Sequence, residues 1–227
     1  MNYFIFKGID SRNFNNLIVN ELPAIVKAAP KVETFEVDGR NGSLTVNTGA
    51  YASIVKSVQC TIKNLDNIDN IFKWLNGVGD VIFSNQPDRY FKAKIINNIP
   101  FERVVSTFRT FIIEFECNPE SYFINSTKLV FTEQGSFLGS GTTESNPIVT
   151  VYGQGNITLY LNDTTITLKN VSDYITINSE LYQCYKDEIN AGKQMVGYFP
   201  TLNPGSNAII WTGNVEKIEI EPNWVVV

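Results

Sequence analysis

Phe111, Ile113, Phe115 and Cys117 alternate with Ile112, Glu114 and Glu116, just as Val58, Cys60 and Ile62 alternate with Ser57, Gln59, Thr61 and Lys63. A period of two sends successive side chains to opposite faces, so each segment reads as a half-buried β-strand. Apolar runs at Val81-Ile82-Phe83 and Tyr90 to Ile95 extend the pattern. Only one stretch reads at the helical period. Ile68, Ile71, Phe72 and Leu75 fall at i, i+3, i+4 and i+7, with Asp66 or Asn67 as the expected cap and Gly77 as the stop. A mainly β chain with a single helix follows.

The 227 residues suffice for two domains of ordinary size. Residues 1–130 read as a β-sandwich-like N-terminal domain carrying the helix, with its strand pattern ending near residue 123. Residues 131–146 hold three glycines and few large apolar side chains, which predicts a linker or exposed crossing loop. Residues 147–227 carry short apolar runs at Ile148 to Tyr152, Ile157 to Leu161, Thr165 to Leu168, Tyr174 to Ile177, Leu181 to Tyr185, Ala208 to Trp211 and Val215 to Ile220. Polar breaks such as Asn162-Asp163 separate them, as in a β-sandwich or jelly roll.

Several function classes drop out on composition. The net charge is −5, so a phosphate-reading surface would work against its own field, and nucleic acid is not an expected ligand. No stretch approaches the apolar length that spans a bilayer, and Met1-Asn2-Tyr3-Phe4 does not open a signal peptide, so synthesis in a cytoplasm without export by the general route is expected. Cys60, Cys117 and Cys184 lack CxxC spacing and sit in apolar surroundings, which predicts buried free thiols. Neither cofactor nor metal is expected.

The chain has no histidine, which removes Ser-His-Asp and Cys-His hydrolysis. The Gly139-Ser140-Gly141 stretch lacks the strand and helix that make a phosphate loop. Glu114 and Glu116 share a strand face and could in principle form a glycosidase pair, but alternation with Phe111, Ile113 and Phe115 already places them on a solvated outer face. Asp187 and Glu188 read as surface. Tyr198, Trp211 and Trp224 could stack on sugar rings, although the two tryptophans fit a core better. A non-enzymatic role is expected, with a lectin-like module as the alternative and a glycoside hydrolase as a second one without a motif.

Val37 to Leu44 looks like a hairpin in which Gly39 and Gly42 allow positive φ and Arg40 sits at the tip. With Tyr51, the Trp74-Leu75 helix, Val81 to Ala93 through Pro87 and Tyr90, and Phe115 to Pro119, it resembles the N-terminal domain of distal tail (Dit) proteins of long non-contractile-tailed bacteriophages. Asn146-Pro147-Ile148, the Phe199 to Asn207 stretch with Pro204, Gly205 and Asn207, and Ile218 to Pro222 extend the resemblance over the second half. It implies a virion tail-tip component, its N-terminal domains forming a ring, commonly hexameric, between the tail tube protein and the tail-associated lysin or fibre protein. A receptor-binding protein is a further neighbour it implies. It also implies a galectin-like C-terminal sandwich. Gly39, Arg40, Gly42, Trp74, Pro87, Tyr90, Pro204, Gly205 and Asn207 are the candidate assembly or motif positions.

Overall fold

The structure, a computed structural model, describes residues 1–36, 38–39, 41–99, 102–103 and 108–227, with residues 102–103 as backbone only. Two compact units result, residues 1–121 with 227, and residues 122–226. Both are built from antiparallel strands, with one α-helix among the described residues.

The first unit contains β1 (Phe4–Phe6), β2 (Ile9–Asp10), β3 (Leu17–Glu21), β4 (Pro30–Glu36), β5 (Ser43–Tyr51), β6 (Ile54–Ile62), α1 (Ile68–Trp74), β7 (Val78–Phe83), β8 (Arg89–Ile95), β9 (Glu102–Arg103) and most of β10 (Arg109–Phe123). Its main sheet runs β2-β1-β7-β8-β10-β6-β3, with β9 beside β10. The alternation read from sequence sets the register. Val58 lies opposite Ile113 and Cys60 opposite Phe111, and all four are buried. Phe115 lies at the centre of the core, edge-on to Phe4, Phe6 and Phe83 at 5.7, 5.3 and 5.8 Å. Strand β1 belongs to this core although its short run of apolar residues carries no period.

Helix α1 buries Ile71 and Trp74, and Leu75 just beyond it, with Ile68 half-buried; Phe72 lies exposed. Asn67 occupies the N-cap position in the left-handed region, but its side chain makes no capping bond. Instead the amide of Asn16 donates to the carbonyls of Asn64 and Asp66, fixing the entry to the helix from another element. Gly77, at φ +76°, lies past the helix end, where the left-handed conformation suits glycine.

The second unit takes the end of β10, β11 (Leu129–Phe131), β12 (Gly135–Gly139), β13 (Ile148–Leu161), β14 (Thr164–Asn178), β15 (Gln183–Lys186), β16 (Ile189–Asn190), β17 (Met195–Gly197), β18 (Gly205–Glu221) and β19 (Val225–Val226). The order is β11-β18-β13-β14-β15-β16, with β12 also on β18 and β17 on β14. This corrects the expected linker at 131–146. Strand β12 lies inside it, paired with β18 from Gly135 opposite Ile209 to Gly139 opposite Gly205, and the units divide between residues 121 and 122. Glycine and serine there serve an edge strand, in which Gly139 passes so close to the Asn203 carbonyl that a Cβ would lie 2.4 Å from it.

Strand lengths are the other correction. The expected short strands fuse in pairs into β13, β14 and β18, of 14, 15 and 17 residues. The polar breaks at Gly153 to Asn156 and Thr212 to Asn214 lie within continuous strands, and the register shifts between Tyr152 and Gly153 and between Gly155 and Ile157. A bulge needs the same small and polar residues as a turn, so composition does not tell them apart. Gly213 shows why glycine is required. Its φ is +102°, and a Cβ would lie 2.5 Å from the Asn156 carbonyl.

Candidate assembly surfaces

Strands β4 and β5 form a two-stranded sheet of their own, with Phe35 opposite Leu44 and Glu33 opposite Val46. Cross-strand partners share a face, so Phe35, Leu44, Val46 and Glu33 lie together while Val32, Thr34, Thr45 and Asn47 lie on the other side. Every residue of both strands except Tyr51 is exposed. Phe35, Leu44 and Val46 keep 48, 41 and 44% of their surface in solvent. At the base, Ala28 is buried and the Ala52 N–H donates to the Ala29 carbonyl at 2.8 Å. The hairpin is anchored at one end and bare along its length, a shape that is at best marginally stable alone in water.

The sequence-derived positions separate by role. Gly39 and Gly42 have φ of +80° and +81° beside the hairpin strands, as a tight turn requires. Arg40 lies outside the described residues. Trp74 is a core residue, stacked on Phe4 at 5.3 Å and Phe14 at 4.7 Å, its indole N–H donating to the Phe6 carbonyl at 2.9 Å. Pro87 is exposed in the turn between β7 and β8, and Tyr90 is half-buried on β8. Asn207 is buried: its side-chain oxygen accepts from the Asn203 N–H and the Asn162 amide, while its own amide donates to the Asn203 and Gly205 carbonyls. With Gly205 at φ +98°, it shapes the Asn203 to Asn207 turn that contains Pro204. Trp74 and Asn207 thus hold the units together internally, while the hairpin glycines shape an exposed element.

Lys56 went unread in the sequence. It lies on the core face of β6, 2% exposed, with its ammonium 4.5 Å from the centre of Phe91 and 5.9 Å from that of Phe83. Burial pushes its pKa below the ordinary 10.5. One charged residue among Val58, Cys60 and Ile62 fits the period and could have been noticed on that ground alone. Cys60, Cys117 and Cys184 are free and buried, with burial raising their thiols to about 12, 12 and 11. Thiols so raised stay protonated and unreactive.

The shifted carboxylates, Asp10, Asp88 and Glu219, are all shifted downward by bonds from Arg12, Arg89 and Lys217. A general acid needs the opposite shift. Glu116 pairs with Lys94 at 2.9 Å, and Glu114 is half-buried on the same outer face. Among the described residues no three Cys, Asp or Glu converge as a metal site, and no helix is long and apolar enough to cross a membrane. Trp211 and Trp224 are core residues, whereas Tyr198 is 85% exposed.

Residues 6–117 match the model of the phage tail protein RIFT-related domain. The whole chain superposes on the crystal structure of SPP1 Dit (gp 19.1), described as a paradigm of the hub adsorption apparatus in phages infecting Gram-positive hosts. The TM-score is 0.77 at 11% identity, over 97% of this chain and 98% of that one. No curated protein matches the sequence. Residues 6–117 thus match the phage tail protein RIFT-related domain, and the chain shares the fold of the SPP1 Dit structure.

Proposed function

We infer that this chain is a structural component of the phage tail tip that associates with copies of itself through its first unit to form a closed ring, hexameric in the reading its family supports. The observation that carries the self-association is the β4–β5 hairpin, whose Phe35, Leu44 and Val46 stand together in solvent on a two-stranded sheet that pairs with no other described strand. A hairpin of that kind gains its stability from a partner. Repetition of one heterologous contact closes into a ring when the rotation between neighbours divides the circle. In the virion such a ring would sit between the tail tube protein and the tail-associated lysin or fibre protein, after synthesis in the host cytoplasm. The reading assigns it no reaction and no cofactor. The second unit, in this reading a galectin-like sandwich, lies outside the ring contact.

Electron microscopy of the purified full chain tests the reading: closed rings of uniform diameter are expected, and a uniformly monomeric population at every concentration would contradict it. A lectin-like role for the second unit has one observation in its favour, the exposed ring of Tyr198, and two against it, the burial of Trp211 and Trp224. A glycan array probed with the full chain separates the two readings.

A further inference from the structure

Asn-Gly occurs twice in the chain, at Asn41-Gly42 and Asn76-Gly77. In this dipeptide the backbone nitrogen can attack the preceding side-chain amide with least hindrance, because glycine puts no Cβ in the way. Ring closure needs the backbone to leave its folded conformation, so the fold decides which of the two pairs reacts.

Asn76 is held on both sides. It follows Trp74 and Leu75, both buried, its N–H donates to the Trp74 carbonyl at 2.9 Å, and its carbonyl accepts from the Lys7 ammonium. The Gly77 carbonyl accepts from the Ile95 N–H at 3.3 Å, and the Lys7 Nζ stands 3.5 Å from where a Gly77 Cβ would lie. Moving this backbone means unmaking the end of α1 and the start of the β7–β8 pairing at Val78 and Lys94. Asn41 has no such restraint. It is exposed between β4 and β5, and among the described residues its side-chain amide has no hydrogen-bond partner. A Cβ on Gly42 would have no atom within 4 Å. The two strands it joins pair only with each other and are exposed along their length, so the tip opens at little cost.

We propose that Asn41 is a site of spontaneous covalent modification, deamidation through a cyclic imide with Gly42, and that the fold confines the reaction to this one of the two Asn-Gly pairs. The Gly42 backbone nitrogen bonds to the side-chain carbonyl carbon of Asn41. The bond from that carbon to the side-chain nitrogen breaks, and ammonia leaves with the proton of the Gly42 N–H. Water then adds to either carbonyl of the five-membered ring and opens it. The product is an aspartate or, where the chain is left running through the side-chain carbon, an isoaspartate. Water is the co-reactant, and no electrons change hands. Either product puts a new carboxylate at the tip of the hairpin, and the isoaspartate adds a carbon to the backbone of the turn. The inference is independent of the ring reading, since the modification is read by mass and not by assembly.

The test incubates the full chain, folded, in mildly alkaline buffer beside the same chain unfolded in guanidinium chloride, and digests both with trypsin under mildly acidic conditions. The peptides Asn41–Lys56 and Trp74–Arg89 report the two sites separately. In the folded chain the mass increase from exchange of NH for O should accumulate in the first peptide on the order of tenfold faster than in the second, because the two sites differ in the cost of local opening. In the unfolded chain the two peptides should gain mass at similar rates. Asn41→Gln should remove the gain from the first peptide, since the longer side chain must close a larger ring, and leave the second as it was. Equal rates at the two sites in the folded chain, faster reaction at Asn76, or a gain in the first peptide that survives Asn41→Gln would overturn the proposal, whether or not the chain forms rings.

Discussion

Two hairpins in this chain are built by the same local rules and come to opposite ends. In β13–β14 the strands meet at Asn162-Asp163, Asn162 taking φ +53°, and Val149, Val151, Leu159, Ile166 and Leu168 turn into a core. In β4–β5 Gly39 and Gly42 take positive φ, and Phe35, Leu44 and Val46 turn into solvent. Turn chemistry and β propensity make both hairpins. What differs is the third layer: β13 is flanked by β18 as well as β14, whereas β4 and β5 pair only with each other. Among the described residues no third strand joins the β4–β5 hairpin, and its apolar side chains stay in solvent.

The largest effect should come from the buried hairpin. Leu159→Ala empties a fully buried position and should cost about 2–5 kcal/mol in denaturant unfolding. Phe35→Ala, on the exposed hairpin, should shift the isolated chain by less than about 0.5 kcal/mol. Equal effects in the monomer would erase the contrast between the two hairpins.

Asn207→Ala comes next, at about 1–3 kcal/mol, because it leaves the Asn203 N–H and the Asn162 amide without their buried acceptor. An unchanged midpoint for this variant would show that water replaces the lost bonds and that the turn is not held from inside.

Lys56→Met should raise stability by about 1 kcal/mol by removing a cation from an apolar wall. The sign with pH follows from its lowered pKa. Below the folded-state value the lysine is charged both folded and unfolded, and the burial penalty is fully present. As pH rises from that value toward 10.5 the folded state loses its proton first, the unfolded state binds more protons, and stability increases. The thiols act in the opposite sense as pH rises through 9, where each unfolded thiol is half ionised while the folded ones stay protonated, but both proteins carry them. Wild type should therefore gain stability relative to Lys56→Met as pH rises toward 10.5, and parallel pH profiles would contradict the assignment.

The smallest global effect belongs to Gly42→Val. The φ of +81° resists a β-branched residue and costs the hairpin about 1–3 kcal/mol locally. That strain falls on an element whose opening exposes none of the main core, so assembly should fall while the global unfolding free energy stays within about 0.5 kcal/mol. A large shift in midpoint would mean that the hairpin is part of the cooperative unit.

Periodicity made β6, β10 and α1 legible because each buries one face against a single core, and the Gly39 to Gly42 turn was legible because glycine has few other uses there. For Trp74 and Asn207, candidate assembly or motif positions, the sequence does not reveal which way the side chain turns; the ring stack on Phe4 and Phe14 and the bond from Asn162 are contacts made across tens of residues. The supposed linker concealed β12 for a related reason. An edge strand paired on one side needs little apolar content, and its partner β18 lies some seventy residues further along the chain.

The central claim is that the bare hairpin of the first unit is half of a contact between copies. Sedimentation velocity of wild type beside Leu44→Asp across a concentration series tests it most directly. The account predicts a discrete closed assembly for wild type and a stable monomer for the variant, with identical unfolding of the two at low concentration. Assemblies of the same size and stability from both proteins would contradict it.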